Sequence, residues 1–267
     1  MRKAEIREVR AEDAPALIRL WCRVFEDPEA LPAAFLRLLP ELGGGVAAFA
    51  DGELAGAAYI VTALTVGARR AAYLYAVAVH PAYRGRGLGR ALTREAAALG
   101  RRRGADFVCT LPAGESLYGW YERLLGTRCA LYRREERFPA RPGCAAAPIA
   151  PADFNARREA LLAGLAHLSL SEAAAAFERV VCRAFGGDLY AVGDGICAAY
   201  RQGAEACVRE LLCPDPTLRR AYAESVGAAM GCESVALLSP GTPGDAPFLA
   251  AEPGALTPDC VWDLAFD

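Results

Sequence analysis

An arginine- and glycine-rich loop follows an apolar stretch in the first half of the chain. Residues 73–79 are apolar, aromatic or β-branched, which is typical of a strand buried on both faces, and Pro81 ends it because proline cannot donate to a sheet. The loop consists of Arg84, Gly85, Arg86, Gly87, Leu88 and Gly89. Glycines let backbone N–H groups approach an anion closely, and arginines add charged donors. Leucines at helical spacing follow, so the loop leads into a helix N-terminus, where the helix dipole favours negative charge. The pattern predicts that this loop, residues 84–89, and the helix N-terminus behind it form a pyrophosphate cradle, which we call the cradle.

Two common nucleotide-binding motifs fit this loop poorly. A Walker loop ends in Gly-Lys-Ser/Thr, whereas this one ends in Gly-Leu-Gly-Arg. A dinucleotide fingerprint needs an acidic residue on a second strand about 20 residues further on, where an arginine-rich helix is predicted here. The loop instead resembles the acetyl-CoA-binding motif of the GCN5-related N-acetyltransferase (GNAT) superfamily, Arg/Gln-x-x-Gly-x-Gly/Ala, with Arg84, Gly87 and Gly89 in its fixed places. Residues 77–81 also resemble the fourth strand of that family.

This resemblance implies an α/β fold with a mixed sheet, the GNAT acyl-CoA N-acyltransferase fold, over residues 4–138, and acetyl-CoA as the cosubstrate. In that family a strand backbone pairs with the pantetheine, and a strand N–H polarises the thioester carbonyl while a neutral amine attacks it directly. The implied cofactor-binding residues are Val77, Ala78 and Val79 on the strand, and Arg84, Gly85, Arg86, Gly87, Leu88, Gly89 and Arg90 in the loop and the start of the helix.

The general acid of the family is a tyrosine on the helix that follows its fifth strand. Residues 120–126 (WYERLLG) resemble the family pattern aromatic-Tyr-Glu-Lys-Leu-Gly-Phe, with an additional leucine before the glycine and no aromatic residue after it. Tyr121 is therefore the first candidate to protonate the departing CoA thiolate, and Tyr118, one helical turn earlier, is the second.

The general base remains open in the sequence. The asparagine that many family members carry seven residues before the tyrosine is Gly114 here, and the strand positions that often hold a glutamate hold no carboxylate. Either Glu26, Glu29 or Glu41 acts as the base, or no base is needed. Cys109 is disfavoured as a nucleophile because an apolar strand would raise its pKa.

Composition limits the class of protein. Hydrophobic residues make up 54% and charged residues 23% of the 267 residues, which indicates a globular chain, and a net charge of −2 disfavours a nucleic-acid partner. The ten cysteines form no C-x-x-C pair, which favours free thiols over a metal site and predicts a cytoplasmic protein. No apolar run reaches the roughly 20 residues of a membrane span, and the charged N-terminus does not resemble a secretory signal.

The order of predicted elements in the first half is βααβββαβαβ. We predict strands at 4–9, 46–50, 54–64, 73–79, 107–111 and 128–138, and helices at 12–25, after Pro28, from the loop to Arg103 and at 116–125. In the second half we predict helices at 153–165, 171–185 and 217–230, and strands at 188–193, 196–201, 205–213, 233–239 and 259–266.

The second half resembles a degenerate copy of the first, which predicts a GNAT domain at 1–138, a proline-rich linker at 139–151 and a degenerate GNAT-like domain at 152–267. The Asp-Gly turn at 51–52 recurs at 194–195. The loop, however, is shorter: Val79 to Val108 spans 29 residues (108 − 79), whereas Leu212 to Val235 spans 23 (235 − 212). Residues 215–216 (Asp-Pro) replace the arginine-glycine run, so this half is expected not to bind CoA. An unrelated α+β domain is the alternative.

The sequence thus predicts an N-acetyltransferase that acts on a small-molecule or peptide amine. A non-catalytic acyl-CoA-binding module and transfer of a longer acyl group are the alternatives. The identity of the amine and the oligomeric state stay open.

Overall fold

The computed structural model describes residues 4–264 and 266. Elements of the first half, in chain order, are β1 (Glu5–Glu8), α1 (Ala14–Phe25), α2 (Ala30–Leu42), β2 (Gly43–Ala50), β3 (Glu53–Val61), β4 (Leu64–Val66), β5 (Arg69–Val79), α3 (Leu88–Arg102), β6 (Phe107–Thr110), α4 (Glu115–Leu125) and β7 (Arg128–Pro139). Those of the second half are β8 (Ala146–Pro148), α5 (Pro151–Leu161), β9 (Leu168–Leu170), α6 (Glu172–Ala184), β10 (Asp188–Val192), β11 (Gly195–Gln202), β12 (Glu205–Leu212), α7 (Arg219–Ala229), β13 (Ser234–Pro240) and β14 (Ala246–Ala251).

The chain divides into two compact units. Unit 1 comprises Met1–Ala130 and Phe248–Thr257, and unit 2 comprises Leu131–Pro247 and Pro258–Asp267. In unit 1 the strand order is β1-β2-β3-β5-β6-β14, with β4 paired to β5, and of these pairs β5–β6 runs parallel while the others run antiparallel.

Alternation of side chains along the strands gives unit 1 two different packed faces. Ala58 and Ile60 of β3 pack in one cluster with residues of α3 and with Tyr121. Tyr59, between them in sequence, contacts Trp21 of α1 and Phe35 of α2 instead. Because successive strand residues point to opposite faces, α3 and α4 cover one side of the sheet while α1 and α2 cover the other.

Unit 2 repeats the connectivity of unit 1. Its strand order is β8-β10-β11-β12-β13-β7, and again a single parallel pair among them, β12–β13, is joined by a helix, α7. Two helices, α5 and α6, lie between β8 and β10, as α1 and α2 lie between β1 and β2. The predicted fold class, α/β with mixed sheets, is confirmed, and the shared connectivity supports the interpretation of the second half as a copy of the first.

The units differ from the expected boundaries because each takes one strand from the other half of the sequence. The strand beside β6 is β14 rather than β7, with Ala250 paired to Thr110, and the strand beside β13 is β7, with Phe138 paired to Val235. Backbone groups at the edge of a strand need partners wherever these come from in the sequence, so chain order alone did not reveal this exchange. The predicted linker at 139–151 also contains β8, which pairs with β10.

One predicted strand is wrong, and several strands were missed. The prediction at 259–266, of which residue 265 lies outside the described residues, corresponds to an extended segment with an isolated bridge between Val261 and His167. Cys260, Trp262 and Leu264 are buried there, so the apolar alternation is real, but it does not mark a ladder. The longest missed strand is β14, and the three-residue strands β4, β8 and β9 were missed as well. Among the described residues, no helix is both long and apolar enough to cross a membrane.

Candidate active site

The arginine-glycine loop joins β5 to α3, as predicted. Gly85 and Gly87 have φ angles of 74° and 78°, in the left-handed region that favours glycine, and a Cβ added at either would meet nothing within 4 Å. Gly87 is the N-cap residue of α3 and supplies no side-chain cap. The first N–H groups of the helix therefore have no side-chain cap, and the space beside Gly85 and Gly87 is open, which is the arrangement expected of an anion site.

The arginines of the loop are exposed and oriented by neutral groups. The Nε atom of Arg84 donates to the carbonyl oxygen of Val79 at 3.2 Å, and the guanidinium of Arg86 lies over the ring of Tyr83, 5.3 Å from its centroid. Within residues 4–264 and 266, Arg84, Arg86 and Arg90 form no ion pair. Their positive charge is thus available to a phosphate-containing ligand.

The sheet opens beside this loop. The parallel pairing of β5 with β6 runs from Ala71 and Phe107 to Leu74 and Thr110, where β6 ends, whereas β5 continues to Val79 while still paired to β3. Ala76 lies at a register shift and has a φ of 48°, which is rare for a residue with a Cβ and marks a strained bulge. Val77, Ala78 and Val79 follow on the strand, beyond the end of its pairing with β6. We call this opening the fork: it begins where Thr110 ends β6 and is bordered by Tyr75 to Val79 of β5.

Tyr121 lies at the closed end of the fork. It is 8% exposed, in the cluster that contains Leu74 and Leu92, and its side chain is hydrogen-bonded to that of Thr110. Thr110 in turn donates to the carbonyl oxygen of Leu74 at 3.2 Å. Burial raises the pKa of Tyr121, while the hydrogen bond to Thr110 partly opposes the rise. The phenol therefore keeps its proton at neutral pH and can donate it.

Tyr118 has a different environment. Its hydroxyl donates to the carbonyl oxygen of Phe248 at 3.0 Å, and this carbonyl belongs to the β14 segment of unit 1. The hydroxyl thus ties α4 to the strand that borders β6. Of the two candidate acids, Tyr121 is the one that the structure places beside the last paired residue of β6.

The three candidate bases are all exposed: Glu26 and Glu29 lie in the connection between α1 and α2, and Glu41 lies on α2, so the structure does not bring them into a buried site. Cys109 is fully buried in β6, with its Sγ atom 3.9 Å from the carbonyl oxygen of Ala72, so its thiol is not accessible to a substrate. His80 ends the strand as a turn residue, and its Nδ1 atom accepts from the N–H of Ala82.

An aromatic cluster on the α1–α2 face was not predicted as part of the site. Trp21 contacts the rings of Phe35, Tyr59 and Tyr75 at centroid distances of 5.3, 5.6 and 5.6 Å, and Tyr75 directly precedes the bulge at Ala76. The cluster therefore lies beside the fork on the face opposite Tyr121. The recurrence of aromatic residues at i, i+4 on α1 (Trp21 and Phe25) was the available signal.

The corresponding opening of unit 2 is bridged by an arginine. β12 and β13 pair as far as Val208 and Leu237, and beyond that point Arg219 donates to the carbonyl oxygen of Leu211 on β12 and to that of Leu238 on β13, both at 3.3 Å. Asp215, which stands where unit 1 has its arginine-glycine loop, accepts a hydrogen bond from the N–H of Thr217. Arg219 thus spans the opening of unit 2 from strand to strand, whereas Arg84 in unit 1 contacts a carbonyl of β5 alone.

Buried charges lie next to that bridge. Arg209 occupies the bulge of β12, at the position of Ala76 in unit 1, and its Nη1 atom lies 3.4 Å from Oε1 of Glu178. Arg158 donates to both oxygens of Glu210, with the Nε–Oε2 distance at 2.8 Å. All four side chains are at most 1% exposed. Among the described residues no cluster of His, Cys, Asp and Glu has the geometry of a metal site.

A mixed sheet that opens beside a glycine-arginine loop, with a buried tyrosine at the closed end of the opening, is the arrangement expected for the class of acyltransferases that use acyl-CoA. Comparison with family models is consistent with this class: residues 6–127 match the model described as the acetyltransferase (GNAT) family. This part of the chain is therefore similar to the GNAT acetyltransferase family over 122 of its 267 residues (127 − 6 + 1). No protein of curated function matches the sequence.

Solved structures share the fold over nearly the whole chain. A conserved protein of Enterococcus faecalis described as a probable N-acyltransferase is 13% identical, with a TM-score of 0.70 over 94% of this chain and 72% of that one. GCN5-related N-acetyltransferases from Kribbella flavida (21% identical, TM-score 0.65, 93% and 71% covered) and Sphaerobacter thermophilus (16%, 0.56, 96% and 97%) also match. The expected GNAT fold is confirmed, and the likeness extends into unit 2.

Proposed function

We propose that unit 1 transfers an acetyl group from acetyl-CoA to an amine, with Tyr121 as the general acid. The observation that supports this proposal is the position of Tyr121: it is buried at the point where β5 and β6 separate, and the arginine-glycine loop lies at the open end of the same strand. The two ends of an extended acyl-CoA molecule would thus meet the groups that each end needs.

Different residues of β5 and of the loop after it would bind different parts of acetyl-CoA. The N–H groups of the first turn of α3, together with Arg84, Arg86 and Arg90, would hold the pyrophosphate. The free edge of Val77, Ala78 and Val79 would pair with the amide groups of the pantetheine, and a main-chain N–H of this edge would stabilise the oxyanion that forms when a neutral amine attacks the carbonyl. Acetyl-CoA supplies the activated acyl group for this reaction.

Tyr121 completes the reaction by giving its proton to the thiolate that leaves. The amine loses one proton as the C–N bond forms, so protons balance when Tyr121 is reprotonated from solvent. Since Glu26, Glu29 and Glu41 are exposed, we propose that water, rather than one of these carboxylates, accepts the proton of the amine.

We further propose that unit 2 is a degenerate copy that binds no acetyl-CoA. The bridge that Arg219 makes between Leu211 and Leu238 supports this, as does the replacement of the cradle by residues 215–216. A cytoplasmic location is proposed as well, because the ten cysteines are free thiols and six of them are buried.

A thiol-release assay with acetyl-CoA and a panel of primary amines tests the proposal, together with thermal unfolding in the presence of CoA. Acetyl-CoA at 100 times its dissociation constant should stabilise the protein by about 2.7 kcal/mol. Gly87→Glu should abolish this stabilisation, because its carboxylate would enter the open space in front of the helix N-terminus. Gly67→Glu is the matched control: Gly67 also has a positive φ, 57°, with nothing within 4 Å of its Cβ.

The outcomes separate the alternatives. Thiol release with any amine supports the transferase. Stabilisation by acetyl-CoA without turnover would favour the non-catalytic binding module. Equal stabilisation of the wild type and Gly87→Glu would show that the loop is not the cofactor site.

A further inference from the structure

A second positively charged surface lies beside the cradle. It is a groove of about 290 Å³, lined by Arg19 and Arg23 of α1, by Glu53 at the start of β3, and by His80 and Tyr83 in the turn that follows β5. Because Tyr83 immediately precedes Arg84, the groove begins where the cradle begins. We call it the α1 groove.

The two arginines of the α1 groove lack carboxylate partners. Arg19 and Arg23 are exposed and one helical turn apart, and in the described part of the chain neither forms an ion pair, while Arg19 forms no hydrogen bond either. Like charges at i, i+4 destabilise a helix by a few tenths of a kcal/mol. An anion between the two guanidinium groups would remove this repulsion.

The contact that Arg23 does make leaves its guanidinium poorly satisfied. Its Nη1 atom lies 2.6 Å from Nε2 of His80, while Nδ1 of the same ring faces the N–H of Ala82 at 3.3 Å. A neutral imidazole carries a proton on one of its nitrogens and can accept at only one. Both nitrogens here face donors, so Arg23 would gain by turning to an anion in the groove.

The ring of Tyr83 connects the groove to the cradle. It contacts the ring of His80 at 5.8 Å on the groove side and lies under Arg86 of the cradle at 5.3 Å. Guanidinium groups bind phosphate with paired, charge-assisted hydrogen bonds, and two of them suit a doubly charged group. Glu53 opposes such a ligand from the β3 side.

We propose that the α1 groove binds a phosphate monoester group through Arg19 and Arg23. This inference rests on the proposed function, because the nearest source is the 3′-phosphate of the CoA molecule whose pyrophosphate occupies the cradle. The other source is a phosphate carried by the acceptor amine. Both present the same chemistry to the two arginines.

Calorimetric titration with CoA and with dephospho-CoA, which lacks only the 3′-phosphate, distinguishes the sources. If the 3′-phosphate binds in the groove, the wild type should bind CoA at least about tenfold more tightly than dephospho-CoA. The double variant Arg19→Gln/Arg23→Gln should bind the two equally. Arg37→Gln, which removes an exposed arginine of α2 that does not line the groove, is the control and should retain the preference.

If the wild type shows no preference, inorganic phosphate is titrated into the protein saturated with CoA. Binding that is present in the wild type and absent in the double variant would support the groove with the acceptor as its source. No preference for CoA together with no arginine-dependent phosphate binding would overturn the proposal. Failure of the proposed function looks different, since neither CoA nor dephospho-CoA would then bind at all.

Discussion

Replacing Tyr121 by phenylalanine removes the hydroxyl group that we assign as the general acid. The ring stays, so the packing against Leu74 and Leu92 is kept, and the structure loses one hydrogen bond, to Thr110. One such bond is worth about 1 kcal/mol of stability, which a folded domain tolerates. The loss of general acid catalysis should lower kcat by about 10² to 10⁴, or roughly 2.7–5.5 kcal/mol in the barrier.

Two measurements separate catalysis from folding in this variant. Thiol release at saturating acetyl-CoA gives kcat, and calorimetry gives the dissociation constant of acetyl-CoA, which should stay within about twofold of the wild type. Tyr118→Phe is the matched control. It removes the hydrogen bond to the carbonyl of Phe248, so it should loosen α4 and reduce kcat far less than Tyr121→Phe does.

The pH dependence provides an independent check. A general acid must be protonated, and burial raises the pKa of Tyr121 above its usual value near 10. The kcat of the wild type should therefore not decline between pH 8 and about 10. A decline in this range that Tyr121→Phe abolishes would contradict the raised pKa of the acid. A silent Tyr121→Phe combined with a damaging Tyr118→Phe would refute the assignment and show that the additional leucine at 124–125 has shifted the functional face of α4.

Three further predictions concern unit 2 and the exchanged strand. Calorimetry with acetyl-CoA should give one site per chain, because Arg219 bridges the opening between β12 and β13, and a stoichiometry of two would contradict the degenerate copy. A chain that ends at residue 138 should be insoluble or inactive, because it lacks β14, which pairs with Thr110 and Cys109. A soluble and fully active fragment would show that β14 is dispensable. If the missing strand is the cause, fusing residues 246–257 behind residue 130 should restore solubility. Burial raises the pKa of Asp263 to about 7, above its value in the unfolded chain, so the folded state loses stability as the pH rises from about 4 to about 7. Asp263→Asn should remove that loss and stabilise the protein at pH 8 by on the order of 1–4 kcal/mol, measured by urea unfolding, with no gain at pH 4; equal effects at both pH values would contradict the predicted ionisation.

Local sequence was sufficient for the glycine loop at 84–89 and for the strand and helix on either side of it. The glycines at 85 and 87 have the positive φ angles that only glycine adopts easily, and the leucines of α3 lie on its packed face. The two candidate tyrosines, Tyr118 and Tyr121, were predicted because residues 120–126 on α4 resemble a family pattern. In each case the information lies within a few residues, where turn conformation and helical periodicity operate.

Pairing between distant segments could not be predicted in this way. Nothing in the sequence of β14 indicates that it borders β6, since an edge can be completed by any strand of suitable length, and the apolar alternation at 260–264 favoured the wrong segment. The burial of charged side chains could not be predicted from local sequence either. Arg158, Glu178, Arg209 and Glu210 are ordinary surface residues in a sequence-based prediction, and their burial depends on partners that lie 31 or more positions away in the chain.

The sequence by itself determined the strand, glycine loop and helix of the candidate cofactor site, the helix that carries both candidate tyrosines, and the repeated order of elements in the second half. Only the tertiary structure decided which tyrosine lies at the fork, which strand completes each unit and what fills the opening in unit 2. The reason is that the first set depends on backbone conformation and short-range periodicity. The second depends on which backbone carbonyls and buried charges find a partner, and Tyr118 with Phe248, or Arg219 with Leu238, become partners only when the chain has folded.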